Sequence, residues 1–184
     1  MQADEPAGRV LVIAGSDSGG GAGIQADIKA ISAMGGYAAT AITAITVQNT
    51  LGVSAIHPVP LAIVEGQIRA VLDDIGADVV KTGMLATVEI VELVAAVLEA
   101  ADPAIPLVLD PVMIATSGDR LVDDGTEAAI RERLVPLATL VTPNAAEAAR
   151  LTGLTVEDVQ GQLAAAEALV GMGAREALVK GGHL

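Results

Sequence analysis

Cysteine, phenylalanine and tryptophan are absent from this 184-residue chain, and Tyr37 is its one aromatic residue. Without cysteine the sequence holds no disulfide, no thiolate metal site and no cysteine nucleophile. Without aromatics a core has to come from Ala, Val, Leu and Ile; at 52% hydrophobic residues the supply is ample. Histidine is scarce too, and His57 and His183 show no metal-ligand spacing. Positive charge is short: 10 Lys and Arg against 23 Asp and Glu give a net charge of −13. That balance argues against nucleic acid or an anionic membrane surface as a partner. It leaves a phosphorylated small ligand open, because a helix N-terminus, one or two lysines and a metal ion can handle one locally. Long apolar runs are missing, so no transmembrane helix is indicated. Residues 1–8 are polar and acidic, unlike a signal or transit peptide, and read as a disordered or loose tail. Residues 9–184 then form one domain of a cytoplasmic protein.

What is abundant is glycine at one place. Four of the five residues from Gly19 to Gly23 are glycine, within IAGSDSGGGAGIQAD. The run follows an apolar strand pattern at 10–14 and opens into a helical pattern from Gly23 to about residue 34. Such density costs folding entropy and makes sense where the backbone bends sharply or a ligand comes close. Strand, glycine turn and helix N-terminus together form a device for an anion or ligand, since first-turn N–H groups lack helical partners. Two familiar motifs do not fit. A phosphate-binding loop needs Lys and Ser or Thr after its last glycine, where Gly21 and Ala22 stand here. A dinucleotide fingerprint from Gly19 meets Ile24 at its third small position and no acidic residue between 37 and 50. A plain flexible turn is the bland alternative, but Asp17, Gln25 and Asp27 beside the glycines favour a ligand site.

Further along, a buried-strand pattern falls at 37–47, the run at 53–57 offers another strand, and strand patterns fall at 78–81, 106–109, 138–141 and 177–180. Helical patterns fall at 61–75, 87–100, 124–134 and 156–172, and Asn144 can cap another helix after Pro143. This alternation predicts an α/β fold with a mainly parallel sheet covered on both faces. The polar residues Gly15–Asp17, Gln48, Lys81–Met84, Asp110, Asn144 with Glu147, and Lys180 all lie at or just past a strand's C-terminal end. In open α/β sheets that edge binds ligands.

The ordered set AGSDSGGGAGIQAD, AITAITVQNT, KTGML, VLDPVM with ATSGD, TPNAAEA and VKGGH resembles the hydroxymethylpyrimidine/phosphomethylpyrimidine kinases of thiamine biosynthesis. The likeness covers nearly the whole chain after the tail. It implies a ribokinase-like three-layer α/β/α fold with a mainly parallel central sheet. It also implies an ATP- and Mg2+-dependent phosphotransferase acting on 4-amino-5-hydroxymethyl-2-methylpyrimidine and then on its monophosphate, and a homodimer. Carried over by motif, Gln48 reads the pyrimidine, since a carboxamide matches an exocyclic amine beside a ring nitrogen. Asp27 faces the amine or the hydroxymethyl group, and Gly15 and Met84 line the pocket. Asn144 and Glu147 form an N-x-x-E pair one helical turn apart, with Glu147 on a Mg2+ water and Asn144 on a phosphate or the metal shell. Asp110 organises metal or phosphate, and Lys180 contacts ATP phosphates as a point charge.

Blander roles stand beside these. Gln48 could bond a neighbouring loop, Asp27 could serve the helix dipole, and Asn144 with Glu147 could be a capped helix start. The resemblance also implies a glycine-rich turn after KGGH that carries a Cys or Asp as catalytic base. The sequence stops at Leu184 without it, so the catalytic base stays unassigned. The choice is then between a part of a longer protein and a defective kinase. The rival functions are a pyridoxal or pyridoxine kinase and a non-catalytic pyrimidine-binding homologue.

Overall fold

Seven strands form one sheet in the order β3 (Gly52–Pro58), β2 (Tyr37–Asn49), β1 (Arg9–Ser16), β4 (Val79–Thr82), β5 (Leu107–Leu109), β6 (Leu140–Val141) and β7 (Glu176–Ala177). All neighbours pair in parallel except β2 and β3. The computed structural model describes residues 6–101, 103–114 and 120–181. Residues 1–5 of the tail, the ATSGD motif at 115–119, and Gly182 and His183 of KGGH lie outside the described residues.

Alternation along the strands separates two packing faces, because successive side chains point to opposite sides. Leu11 and Ile13 of β1 join Val80, Leu107 and Leu109 in the larger buried cluster. Val64 and Ile68 of α2 (Leu61–Ala70) and Val91 and Val94 of α3 (Val88–Ala100) cover that side. Val12 and Ala14 face the other way, against Ile24 of α1 (Gly23–Ala33). Helices thus lie on both sides of a mainly parallel sheet, the three-layer order implied by the sequence. The core is aliphatic throughout, and each fully buried Leu or Ile is worth about 1.5–3 kcal/mol relative to exposure. Lys81 pairs in register with Val12 and Val108, which puts it on the α1 side.

Side-chain oxygens start most of the helices. Thr87 caps α3, Asp123 caps α4 (Asp124–Ala129), Asn144 caps α5 (Ala145–Thr152) and Asp158 caps α6 (Val159–Gly171). The Asp158 cap explains why α6 begins three residues after the start that periodicity suggests at 156. Two helical patterns end in wide turns: Gly76 N–H reaches back to the Val71 carbonyl at 2.8 Å, and residues 130–134 follow α4 in the same way. Strand β2 differs from the fully buried strand expected. Ile45 and Val47 are 53% and 59% exposed on the outer half of β2, where the strand runs on past β1 into the hairpin with β3.

Candidate active site

The glycine run is folded around a carboxylate of its own. Asp17 accepts hydrogen bonds from the N–H groups of Gly19 (2.7 Å), Gly21 (2.9 Å) and Ala22 (2.8 Å). Its backbone N–H donates to Gln25 Oε1 at 2.9 Å, and Gln25 Nε2 donates to Ser16 Oγ at 2.8 Å. Burial pushes the Asp17 carboxyl upward, but the backbone donors outweigh it and hold the group below its ordinary 3.8. Helix α1 needs no side-chain cap of its own, since Asp17 fills the concavity ahead of it. At Gly23, with φ +56°, an added Cβ would lie 2.4 Å from the Gly15 carbonyl oxygen; the turn closes only on glycine there. Asp17 and Gln25 therefore brace the turn, and the ligand-facing work falls to its neighbours.

A cleft of about 290 Å³ lies along the C-terminal ends of the strands. Gln48, Gly15, Met84 and Asp27 line it together with Asp110, Glu147 and Lys180. At one end Ser18 Oγ donates to the Gln48 carbonyl (2.6 Å) and accepts from the Gln48 N–H (2.9 Å), fixing that strand end to the glycine turn. The Thr46 hydroxyl donates to the Ser16 carbonyl at 2.8 Å, and the Gln48 carboxamide lies 3.2 Å from the hydroxyl oxygen. Met84 is held through its carbonyl, which accepts from Thr43 Oγ1 at 2.6 Å. Gly15 faces Met84 directly: a Cβ on it would come 2.6 Å from Met84 Cε and push that methyl aside.

The other end is a ladder of alternating charge. Both oxygens of Asp27 face Lys81 Nζ, at 3.0 and 2.9 Å. Lys81 lies 3.6 Å from Asp110 Oδ2, and Asp110 Oδ1 accepts from Lys180 Nζ at 2.9 Å. Three strand ends and a helix thus place two anions and two cations in sequence. Beside them, Asn144 and Glu147 form a reciprocal capping box: Asn144 N–H donates to Glu147 Oε2 (2.8 Å), and Glu147 N–H donates to Asn144 Oδ1 (2.9 Å). The capping reading is therefore correct, yet it is not the whole of the geometry. A capping glutamate is ordinarily solvated, whereas Glu147 is 2% exposed and still lines the cleft. Burial raises its pKa above the usual 4.5, against the pull of the Asn144 N–H.

Gln48, Asp27, Gly15, Met84, Lys180, Asp110 and Glu147 all line one cleft, and Asn144 supports it through Glu147. Asp27 differs from a free substrate contact in that its carboxylate is held by Lys81. Lys81 has no role of its own in the motif reading. Its only signal was a cation at a strand end, and its importance appears once parallel register sets β4 between β1 and β5. Among the described residues no group of three or more His, Cys, Asp or Glu is arranged to hold a metal. None of the described helices is long and apolar enough to cross a membrane.

Comparison with known proteins places this cleft in context. The family described as phosphomethylpyrimidine kinase matches residues 17–184. The hydroxymethylpyrimidine/phosphomethylpyrimidine kinase of Mycobacterium bovis is 53% identical over 176 residues, covering 96% of this chain and 64% of that protein. A crystal structure of phosphomethylpyrimidine kinase from Clostridium difficile 630 superposes with a TM-score of 0.88 at 43% identity, over 96% of this chain and 76% of the other. An ADP complex of Bacillus subtilis pyridoxal kinase gives a TM-score of 0.85 at 37% identity, over 96% and 66%. The chain spans less than two thirds of the length of the curated relatives it matches.

Proposed function

The chain belongs to the phosphomethylpyrimidine kinase family, and from that premise we propose that it phosphorylates 4-amino-5-hydroxymethyl-2-methylpyrimidine, and then the monophosphate, with MgATP in thiamine biosynthesis. The observation that carries this reading is the single cleft with an amide reader at one end and lysines with carboxylates at the other. Gln48 offers the donors and acceptor of its carboxamide to the aminopyrimidine edge. Asp27 contacts the amine or hydroxymethyl group, and Gly15 and Met84 form the apolar wall. Lys180 and Asp110 organise the ATP phosphates, with Asn144 on a phosphate or the metal shell.

The residues fit Mg2+. This ion usually keeps several waters and takes one or two carboxylates plus substrate phosphates, so a cage of three protein ligands is not required. Glu147, buried at the cleft wall, and Asp110 are the carboxylates that would hold it. When bound, the ion neutralises charge on the transferring phosphoryl group. The chain's own part is in-line positioning by the strand ends and charge compensation by Lys180. Asp17 is a poor candidate base: three backbone donors hold its carboxyl below its ordinary pKa and commit it to the turn.

ADP release from MgATP tests the reading, with hydroxymethylpyrimidine and pyridoxal as alternative acceptors. Turnover with the pyrimidine is expected. Turnover with pyridoxal alone would replace this reading by the second kinase activity, which the likeness to pyridoxal kinases favours. Pyrimidine binding without ADP formation would leave a binding homologue. Gln48→Ala is expected to weaken pyrimidine binding about tenfold or more while ATP binding stays within about twofold, as loss of one or two buried hydrogen bonds predicts. Calorimetry with each ligand separately reads this split, and equal pyrimidine affinity in the variant would remove Gln48 from the site.

We also propose a homodimer. Ile45 and Val47 alternate with the cleft-side residues Thr46 and Gln48, and Leu51 at the hairpin tip is 87% exposed. At a net charge of −13 two copies repel over most of their surface, so an uncharged apolar face is the suitable contact. Sedimentation equilibrium should give twice the chain mass, falling to one with Val47→Glu; a monomeric wild type would refute the proposal.

A further inference from the structure

We propose that Lys81 is the receptor for the phosphate of an already phosphorylated acceptor, and so the residue that separates the second transfer from the first. The inference rests on the pyrimidine kinase reading and deepens it. Strand β4 lies two places from β2 in the sheet, across β1. Neighbouring strands are about 4.8 Å apart, so Gln48 and Lys81 stand roughly 10 Å apart along the strand ends. The phosphorylated 5-substituent is the ring neighbour of the 4-amino group read at Gln48, and its methylene and ester linkage extend it far enough to bridge this span toward β4. Lys81 lines the cleft there, its side chain only 20% exposed. The strand end is bare beside it: a Cβ at Gly83 would come 3.5 Å from Lys81 Nζ and 3.0 Å from Ala14 Cβ.

The hydrogen-bond count at Lys81 also points to a ligand. An ammonium has three donors. The two oxygens of Asp27 take contacts at 2.9 and 3.0 Å, while Asp110, at 3.6 Å, is an ion-pair neighbour beyond hydrogen-bond distance. Among the described residues no other partner lies within hydrogen-bond distance, and one donor is open to the cleft. Asp110 already has its nearer cation in Lys180, at 2.9 Å, so an incoming phosphate takes from Lys81 the weaker of its two carboxylate contacts. Lys81 keeps Asp27 compensated throughout.

This arrangement suits the chemistry of the second step. A terminal oxygen of the monoester forms the new P–O bond to the γ-phosphorus of ATP. The bond from that phosphorus to the β,γ-bridging oxygen breaks, and the electron pair leaves on ADP. Above the second phosphate pKa of about 6 the nucleophile is a dianion and brings no proton to remove. The requirement is a cation that holds the dianion in line, not a base.

The test is calorimetric titration, without nucleotide, of wild type, Lys81→Met and Lys81→Arg with hydroxymethylpyrimidine and with its monophosphate, after thermal melts establish that each variant is folded. The ratio of monophosphate to alcohol affinity is expected to fall about tenfold or more in Lys81→Met, the scale of one charge-assisted hydrogen bond. Lys81→Arg should restore most of it. A loss shared equally by both ligands would mean that Lys81 only supports Asp27, and would overturn the proposal. So would an unchanged ratio, or a wild type that binds the alcohol but not the monophosphate. A folded wild type that binds neither would overturn the pyrimidine kinase reading, and this proposal with it. If Lys81→Met does not fold, an unchanged affinity ratio in Lys81→Gln would serve as the refuting result.

Discussion

Glu147→Gln is expected to lower turnover about 10–100-fold, the usual loss when a group that orients a metal shell is removed, while leaving the protein at least as stable as wild type. Glutamine keeps the oxygen that accepts from the Asn144 N–H, and Gln serves a capping box as Glu does. What it removes is a charge held in a buried place, together with the long 3.4 Å contact that the Met113 N–H makes to the other oxygen. The sign of the stability effect follows from the pKa. Burial raises the folded-state pKa of Glu147 above the 4.5 of an ordinary glutamate, so between the two values the folded state binds more protons than the unfolded. Wild-type stability therefore falls as pH rises from about 4.5 through the raised value, and the variant lacks that fall. The gap should open across this window and stay constant above it. Urea melts at pH 4 to 8 in metal-free buffer read the gap, and Mg2+ dependence of turnover reads the function. A variant with wild-type turnover and wild-type Mg2+ dependence would return Glu147 to a purely capping role.

Two kinds of information in the sequence explain why most of the site was legible. Strand ends and helix starts are local: the apolar runs at β1, β4 and β5 and the oxygen side chains Thr87 and Asn144 announce themselves within a few residues. Placing Gln48, Asp110 and Lys180 on one sheet edge required only that these strands be parallel. Pairings across strands are another matter. Lys81 with Asp27 is a contact over 54 residues, and Asp110 with Lys180 one over 70. Both depend on strand order and on which face each side chain takes, and neither leaves a local mark. The wide turns after Ala70 and Ala129 escaped for a different reason: a helix and its wider continuation share one apolar periodicity. The exposure of Ile45 and Val47 escaped because β-branched residues suit a strand whether or not a helix covers it.

Asp17→Ala should have the largest effect on folding, a loss of about 2–4 kcal/mol, since it strips a carboxylate acceptor from three backbone N–H groups at once. For a chain of this size each kcal/mol shifts the melting temperature by about 2–4 °C, so a fall of roughly 5–15 °C is expected. The cost is limited because Ser18, Gly19, Gly21 and Ala22 are exposed and water can reach part of the emptied concavity. The damage should extend to the ligand. Ser18, next to Asp17, ties the turn to the Gln48 backbone through two hydrogen bonds, so a loosened turn releases the strand end that carries the amide reader. Pyrimidine binding should weaken with stability, whereas Gln48→Ala should lose binding at an unchanged melting temperature. The pH dependence has the opposite sign to that of Glu147. The Asp17 pKa is lowered on folding, so its contribution is complete above about 3.8 and is lost as pH falls through the folded value. Wild type and Asp17→Ala should therefore differ most near neutrality and converge in acid. Equal melting temperatures at pH 7 would mean that the glycine turn holds its shape without the carboxylate, and that the four glycines serve the ligand directly.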